Sequence, residues 1–147
     1  FGFYGFGECL PNPENFIELD PVVKDKWGIP ALRIHCKWRE NERAMLQDMS
    51  VTAAEMLEAA GATDIRSYVE DNPPGLTIHE MGTARMGRDP ATSVLNANNQ
   101  AHDVKNLFVT DGACMASSAN QNPSITYMAL TARAANFAVA SMNRGEL

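Results

Sequence analysis

The run "IHEMGTARMG", Ile78 to Gly87, holds one imidazole among glycines, methionines and a small hydroxyl residue. His79 is a side chain able to take or give a proton near neutral pH. Gly82 and Gly87 permit close backbone approach or positive φ, and Thr83 offers a hydroxyl to a nearby partner. A loop that only had to turn would be more polar, so this composition points to a segment lying along something flat and buried, with His79 presented to it. A second group of residues follows in "NLFVTDGACMASSANQNPS". There Asp111 and Gly112 end an expected strand, as at the strand ends where α/β proteins hold ligands. Asn122 and Pro123 open an expected helix, whose first NH groups carry partial positive charge and stabilise an anion.

Other chemistries fit the residues less well. A serine hydrolase would carry a G-x-S-x-G elbow, and Ser117-Ser118 in "MASSAN" has none. His35, His79, His102 and three scattered cysteines (Cys9, Cys36, Cys114) lack the spacing of zinc ligands, so no metal site is expected. "GFYGFG" is not preceded by a strand and is not spaced as a phosphate-binding G-x-G-x-x-G.

The elements that would position these groups follow from periodicity. "NFIELDP" predicts a short strand over Phe16 to Leu19, stopped by the Pro21 turn. "ALRIHCKW" alternates, placing Leu32, Ile34, Cys36 and Trp38 on a buried side and Arg33, His35, Lys37 and Arg39 on a polar one. Glu40 to Ala60 carries Met45, Met49, Ala53, Met56 and Leu57 at helical spacing, with Gly61 as its stop. "SYVEDNPPG" breaks the chain near Asn72 to Gly75. Beyond it, Ser93 to Asn96 and Asn106 to Gly112 read as short strands. Asn122 then serves as N-cap and Pro123 as first residue of a long helix, apolar on most sides and therefore expected to be buried.

Composition limits the partners. The chain has 147 residues, is 45% hydrophobic and has a net charge of -6. That suits a compact globular core and speaks against nucleic acid or an anionic membrane surface. The charge-free stretch Gly112 to Ala132 is as long as a membrane span but contains too many serines, asparagines and a glutamine to be one, so no membrane span is expected. The opening "FGFYGFGECLPNPEN" lacks an initiator methionine and any targeting signal, so no compartment is assigned and the chain is expected to be cut from something longer.

Taken in order, "HEMGTARMG", "DPATSVLN", "NLFVTDGA" and "NPSITYMALTARAA" resemble the C-terminal part of the glucose-methanol-choline (GMC) family of FAD-dependent oxidoreductases. The combination of "HEMGTARMG" with "NPS" is similar to the sugar- and glycoside-oxidising members. The resemblance implies His79 and Asn122 as the catalytic pair. It also implies FAD as cofactor, with Gly82, Thr83, Asp111, Gly112, Asn122, Pro123 and Ser124 near it. A sugar or other alcohol would be oxidised to a carbonyl: the histidine takes the hydroxyl proton and the flavin takes the hydride. An electron-acceptor protein is a further implied partner.

In fold the resemblance implies an α+β / α/β fragment. Residues 1–75 would contribute antiparallel strands and a helix to a substrate-binding domain. Residues 76–147 would return to a Rossmann-like FAD-binding domain and end in a long buried helix. The family's Gly-rich dinucleotide turn has no counterpart here, so the remainder of the FAD domain is expected upstream, and the fragment is expected to be inactive alone. The alternative is a non-catalytic cap or interaction module derived from the same scaffold.

Overall fold

The computed structural model describes residues 1–70 and 72–147; Asp71, within the expected breaker "SYVEDNPPG", lies outside the described residues. The chain is a small α+β protein in two compact units, Phe1–Leu76 and Thr77–Leu147.

In the first unit, β1 (Phe16–Lys24) and β2 (Pro30–His35) form an antiparallel pair. The register runs from Phe16 opposite His35 to Leu19 opposite Leu32, then shifts before Lys24 meets Pro30. The expected stop at Pro21 does not occur, because the irregularity is supplied with its own acceptor. Asp20 Oδ1 takes the NH groups of Val22 and Val23, both at 2.8 Å, and Oδ2 takes Arg33 Nη2 at 2.7 Å. A bulge that leaves backbone donors off the ladder needs such a partner. Asp25 Oδ1 then accepts from the NH groups of Trp27 and Ile29 to close the hairpin. His35 pairs with Glu18 at 2.9 Å and stacks on Phe16. The expected buried side of β2 is open in this chain: Leu32 and Ile34 are exposed.

Helix α1 (Glu40–Ala59) follows the methionine stripe, with Gly5 and Gly7 running against Met49 and Met45. Its start is held by Glu42, which is buried and accepts from the NH groups of Arg39 at 2.9 Å and Leu10 at 3.2 Å. That is the carboxylate half of a capping box, extended to a distant segment. At the far end Gly61 takes φ 84°, and the NH of Ala62 returns to Leu57. This is the left-handed stop at which a helix spends its last carbonyls.

The second unit has little regular structure before its helix. The expected strands at 93–96 and 106–112 are single bridges: Met86 with Leu95, Leu95 with Ala101, and Gln100 with Phe108. They enclose a core of Leu95, Ala101 and Cys114, with Ala84, Met86, Val109, Met115 and Leu130 against it. Asn99 sits fully buried at φ 61°, donating to the Val109 carbonyl and accepting from Arg133. Both ends of its amide are thus satisfied where an unpaired one would be costly. Helix α2 (Ser124–Asn143) rests on this core through Leu130 and through Phe137, whose ring meets Phe108 edge-on at 6.3 Å. It is not the helix buried all round that its composition predicts. Ala134 and Ser141 are buried, whereas Ile125 and Met128 remain 78% and 67% exposed. A chain of this size has too little surface of its own to cover every apolar side of a 20-residue helix.

Candidate active site

The loop carrying His79 is laid against the segment that follows Asp111. Backbone donors of Gly82, Ala84 and Met86 bind the carbonyls of Gly112, Ala113 and Cys114 at 3.4, 3.0 and 2.8 Å. Gly82 has φ 89°, and a Cβ there would stand 3.3 Å from the Met115 carbonyl oxygen and 3.4 Å from that of Ala116. The close approach that calls for glycine is therefore one this chain makes to its own backbone.

That docking brings His79 to Asn122. The half-buried imidazole has Nε2 2.9 Å from Asn122 Oδ1 and Nδ1 2.8 Å from the carbonyl oxygen of Ile78. As placed, both partners present oxygen acceptors, an arrangement that an imidazolium satisfies by donating from both nitrogens. The Asn122 contact, then the Ile78 carbonyl, and more weakly the Glu80 charge push the pKa of His79 up against a smaller opposing effect of burial. When the ring is neutral with its proton on Nδ1, Asn122 meets the Nε2 lone pair by turning its amide end for end and donating from Nδ2.

The remaining expected residues fall into two places. Pro123 is buried and is itself the N-cap of α2, so Asn122 does not cap the helix; its side chain is engaged by His79 instead. Ser124 is exposed, with Oγ 3.2 Å from the Tyr127 hydroxyl. Asp111 caps the single 3-10 turn Gly112–Cys114 by accepting from the Ala113 NH at 2.9 Å, where a strand end is expected from the sequence. Gly112 joins the His79 loop through Gly82, and a Cβ on it would press on Met81. Thr83 is exposed in the turn after Gly82, and no hydrogen bond among the described residues joins it to His79 or Asn122.

Ser93 and His102 also meet, at 3.1 Å, but not as a nucleophile and its base. The Ser93 proton goes to the Asp89 carbonyl at 2.7 Å, so His102 donates to the serine oxygen rather than drawing its proton away. No group of His, Cys, Asp or Glu among the described residues is placed to hold a metal ion.

Two residues beside His79 escape a reading of the sequence. Ile78 takes φ 61°, a region that β-branched residues avoid. Glu80 Oε1 accepts from both the NH and the hydroxyl of Thr77, at 3.2 and 3.1 Å. Neither residue type signals its role.

A histidine and a carboxamide meet here across 43 positions, an arrangement chemically able to pass a proton to or from a polar group. The chain belongs to the GMC oxidoreductase family, whose model matches residues 11–131. It is 41% identical over 135 residues to 2-methyl-1,2-propanediol dehydrogenase of Mycolicibacterium austroafricanum, covering 90% of this chain and 24% of that protein. C-glycoside 3-oxidase of Arthrobacter globiformis is 32% identical, covering 83% and 24%. The fructose dehydrogenase large subunit of Gluconobacter japonicus is 32% identical, covering 97% and 26%. The chain thus spans about a quarter of the length of these relatives. In fold it is similar to pyridoxine 4-oxidase from Mesorbium loti, with a TM-score of 0.50 at 23% identity, over 78% of this chain and 25% of that one. No helix among the described residues is long and apolar enough to cross a membrane.

Proposed function

We propose that this chain is the catalytic C-terminal part of an FAD-dependent oxidoreductase that oxidises a CH-OH group of a sugar, glycoside or small polyol to a carbonyl. The observation that carries the proposal is the 2.9 Å contact between His79 Nε2 and Asn122 in a chain of this family. The activities named for the relatives, on a diol, a C-glycoside and fructose, support the substrate class. Residues 1–75 are assigned to the substrate-binding domain and 76–147 to the FAD-binding domain. The apolar residues left exposed on α2 favour a chain that packs against more protein, including the upstream part of the FAD domain.

The residues present fit the redox ring of a flavin. Helix α2 starts without a side-chain cap and without an acid in its first turn. The NH groups of Thr126 and Tyr127 return to the Pro123 carbonyl, and those of Ser124 and Ile125 before them would serve an outside acceptor such as the electron-rich edge of a reduced flavin. Asn122, Pro123 and Ser124 at that helix start, with Gly82, Thr83, Asp111 and Gly112, are the residues assigned to the cofactor. A bound flavin would supply the acceptor for the hydride leaving the carbinol carbon.

The chain's own residues supply the rest. Neutral His79 takes the hydroxyl proton at Nε2, and its raised affinity for a proton favours that transfer. The new imidazolium can then hold both protons, one toward Ile78 O and, once product leaves, one toward Asn122 Oδ1, the two oxygens its nitrogens face. Before that transfer the substrate hydroxyl takes the place of Asn122 at the Nε2 lone pair, and the Asn122 amide donates from Nδ2 to the substrate oxygen and orients the carbinol carbon. The test is the absorbance spectrum of the full-length protein, followed by anaerobic titration with a panel of pyranosides, C-glycosides and 1,2-diols. Bleaching of a flavin band by at least one member is expected; a protein that holds no flavin, or a flavin that none of them bleaches, contradicts the proposal.

A further inference from the structure

Ile78 holds an unfavourable backbone conformation for which its own side chain offers no reason. At φ 61° it is a β-branched residue in the left-handed region, and it is 87% exposed. Packing of the side chain therefore does not impose the conformation, so a neighbouring group must. The result of the conformation is visible next door: the Ile78 carbonyl faces His79 Nδ1 at 2.8 Å. On the other side of the same turn, Glu80 Oε1 gathers the NH and hydroxyl of Thr77.

We propose that Glu80 is a positioning residue for His79. Its carboxylate folds Thr77 and Ile78 into a turn that aims the Ile78 carbonyl at Nδ1, fixing the neutral imidazole with its proton there and its lone pair on Nε2. The inference rests on the reading of His79 as the base, because only a base needs Nε2 free of a proton before the reaction. A histidine's tautomer is set by the hydrogen bond its other nitrogen makes, and here that bond is made by backbone. The turn draws more donors to the same carboxylate. Partial burial pushes the Glu80 carboxyl up, yet hydrogen bonds from its own NH, from Thr77 and from the Ile78 NH outweigh it and leave the carboxyl below its usual range. Glu80 therefore stays ionised across the range in which His79 titrates.

The inference is tested in the full-length protein labelled with 15N-histidine, the His79 signals being those lost in His79→Ala. Long-range 1H–15N spectra above the His79 pKa read which nitrogen carries the proton. Wild type and Glu80→Gln, which keeps an acceptor oxygen for Thr77, are expected to hold the Nδ1-H form. Glu80→Ala is expected to lose at least half of that population to Nε2-H, with the His35 and His102 signals unmoved. If Glu80→Ala does not fold, Thr77→Val, which removes the hydroxyl held by Glu80 Oε1, takes its place and is expected to lose part of the Nδ1-H population. An unchanged Nδ1-H population in Glu80→Ala, or in Thr77→Val where it stands in, overturns the inference. The spectra need no substrate turnover, so that result leaves the base assignment standing, just as failure of the base assignment in kinetics leaves the tautomer result standing.

Discussion

Replacing Gly82 by alanine perturbs the joint between the His79 loop and the segment after Asp111 at one defined point. An L-residue in left-handed backbone, where Gly82 has φ 89°, costs roughly 1–2 kcal/mol. The added Cβ would also meet the Met115 and Ala116 carbonyl oxygens at 3.3 and 3.4 Å. Neither oxygen can swing away like a side chain, because the neighbouring Cys114 carbonyl is bound to the Met86 NH at 2.8 Å. Backbone strain of that combined kind is worth about 1–3 kcal/mol, and the lower entropy of the unfolded alanine chain returns about 0.4–1. The net expected loss is about 1.3 kcal/mol, or about 0.6 M in urea midpoint for a slope of about 2 kcal/mol per M. Gly145→Ala is the matched control, since Gly145 also has positive φ, at 71°, but nothing lies within 4 Å of its added Cβ. Its cost should stay under about 1 kcal/mol. Urea unfolding followed by circular dichroism compares the two. A Gly82→Ala variant no less stable than Gly145→Ala would refute the claim that this close backbone contact holds the loop.

Two further outcomes concern protons. The Asn122 contact is the largest cause raising the His79 pKa. Asn122→Ala should therefore move the acid limb of flavin reduction to lower pH, since the base is then neutral over a wider range; an unmoved limb would detach the two residues. The hydrogen bonds of Val23 and Val22, with Arg33 assisting, hold Asp20 at about 2 against the usual 3.8. A depressed carboxyl contributes stability above its unfolded pKa and loses it as pH falls through the folded value. Stability of the first unit should accordingly fall between pH 3.8 and about 2, and Asp20→Asn should flatten that dependence in acid titrations of stability.

What was legible in the sequence depended on how local its cause was. Helix α1 shows in the spacing of Met45, Met49, Ala53 and Leu57 and in the Gly61 stop, both properties of one short stretch. The alternation of β2 likewise marks a strand. The run of β1 through Pro21 does not show, because it depends on Asp20 meeting Arg33 from the other strand. Ser93 to Asn96 and Asn106 to Gly112 have strand-like composition, yet each finds an extended partner for isolated residues and no ladder forms. Composition marked α2 as buried, whereas exposure is decided by what surrounds the helix, and this chain surrounds one part of it. His79 and Asn122 became a candidate pair through the order of four motifs, not through their spacing. The turn at Ile78 and Glu80 left no trace, because nothing about an isoleucine announces positive φ.

The central claim, that His79 and Asn122 act together on a substrate hydroxyl, is tested most directly by anaerobic stopped-flow reduction of the flavin in full-length His79→Ala. The flavin should remain bound with its absorbance intact while its reduction by substrate slows by about 10²- to 10⁴-fold, the range for loss of a general base. Reduction at the wild-type rate would remove His79 from the chemistry.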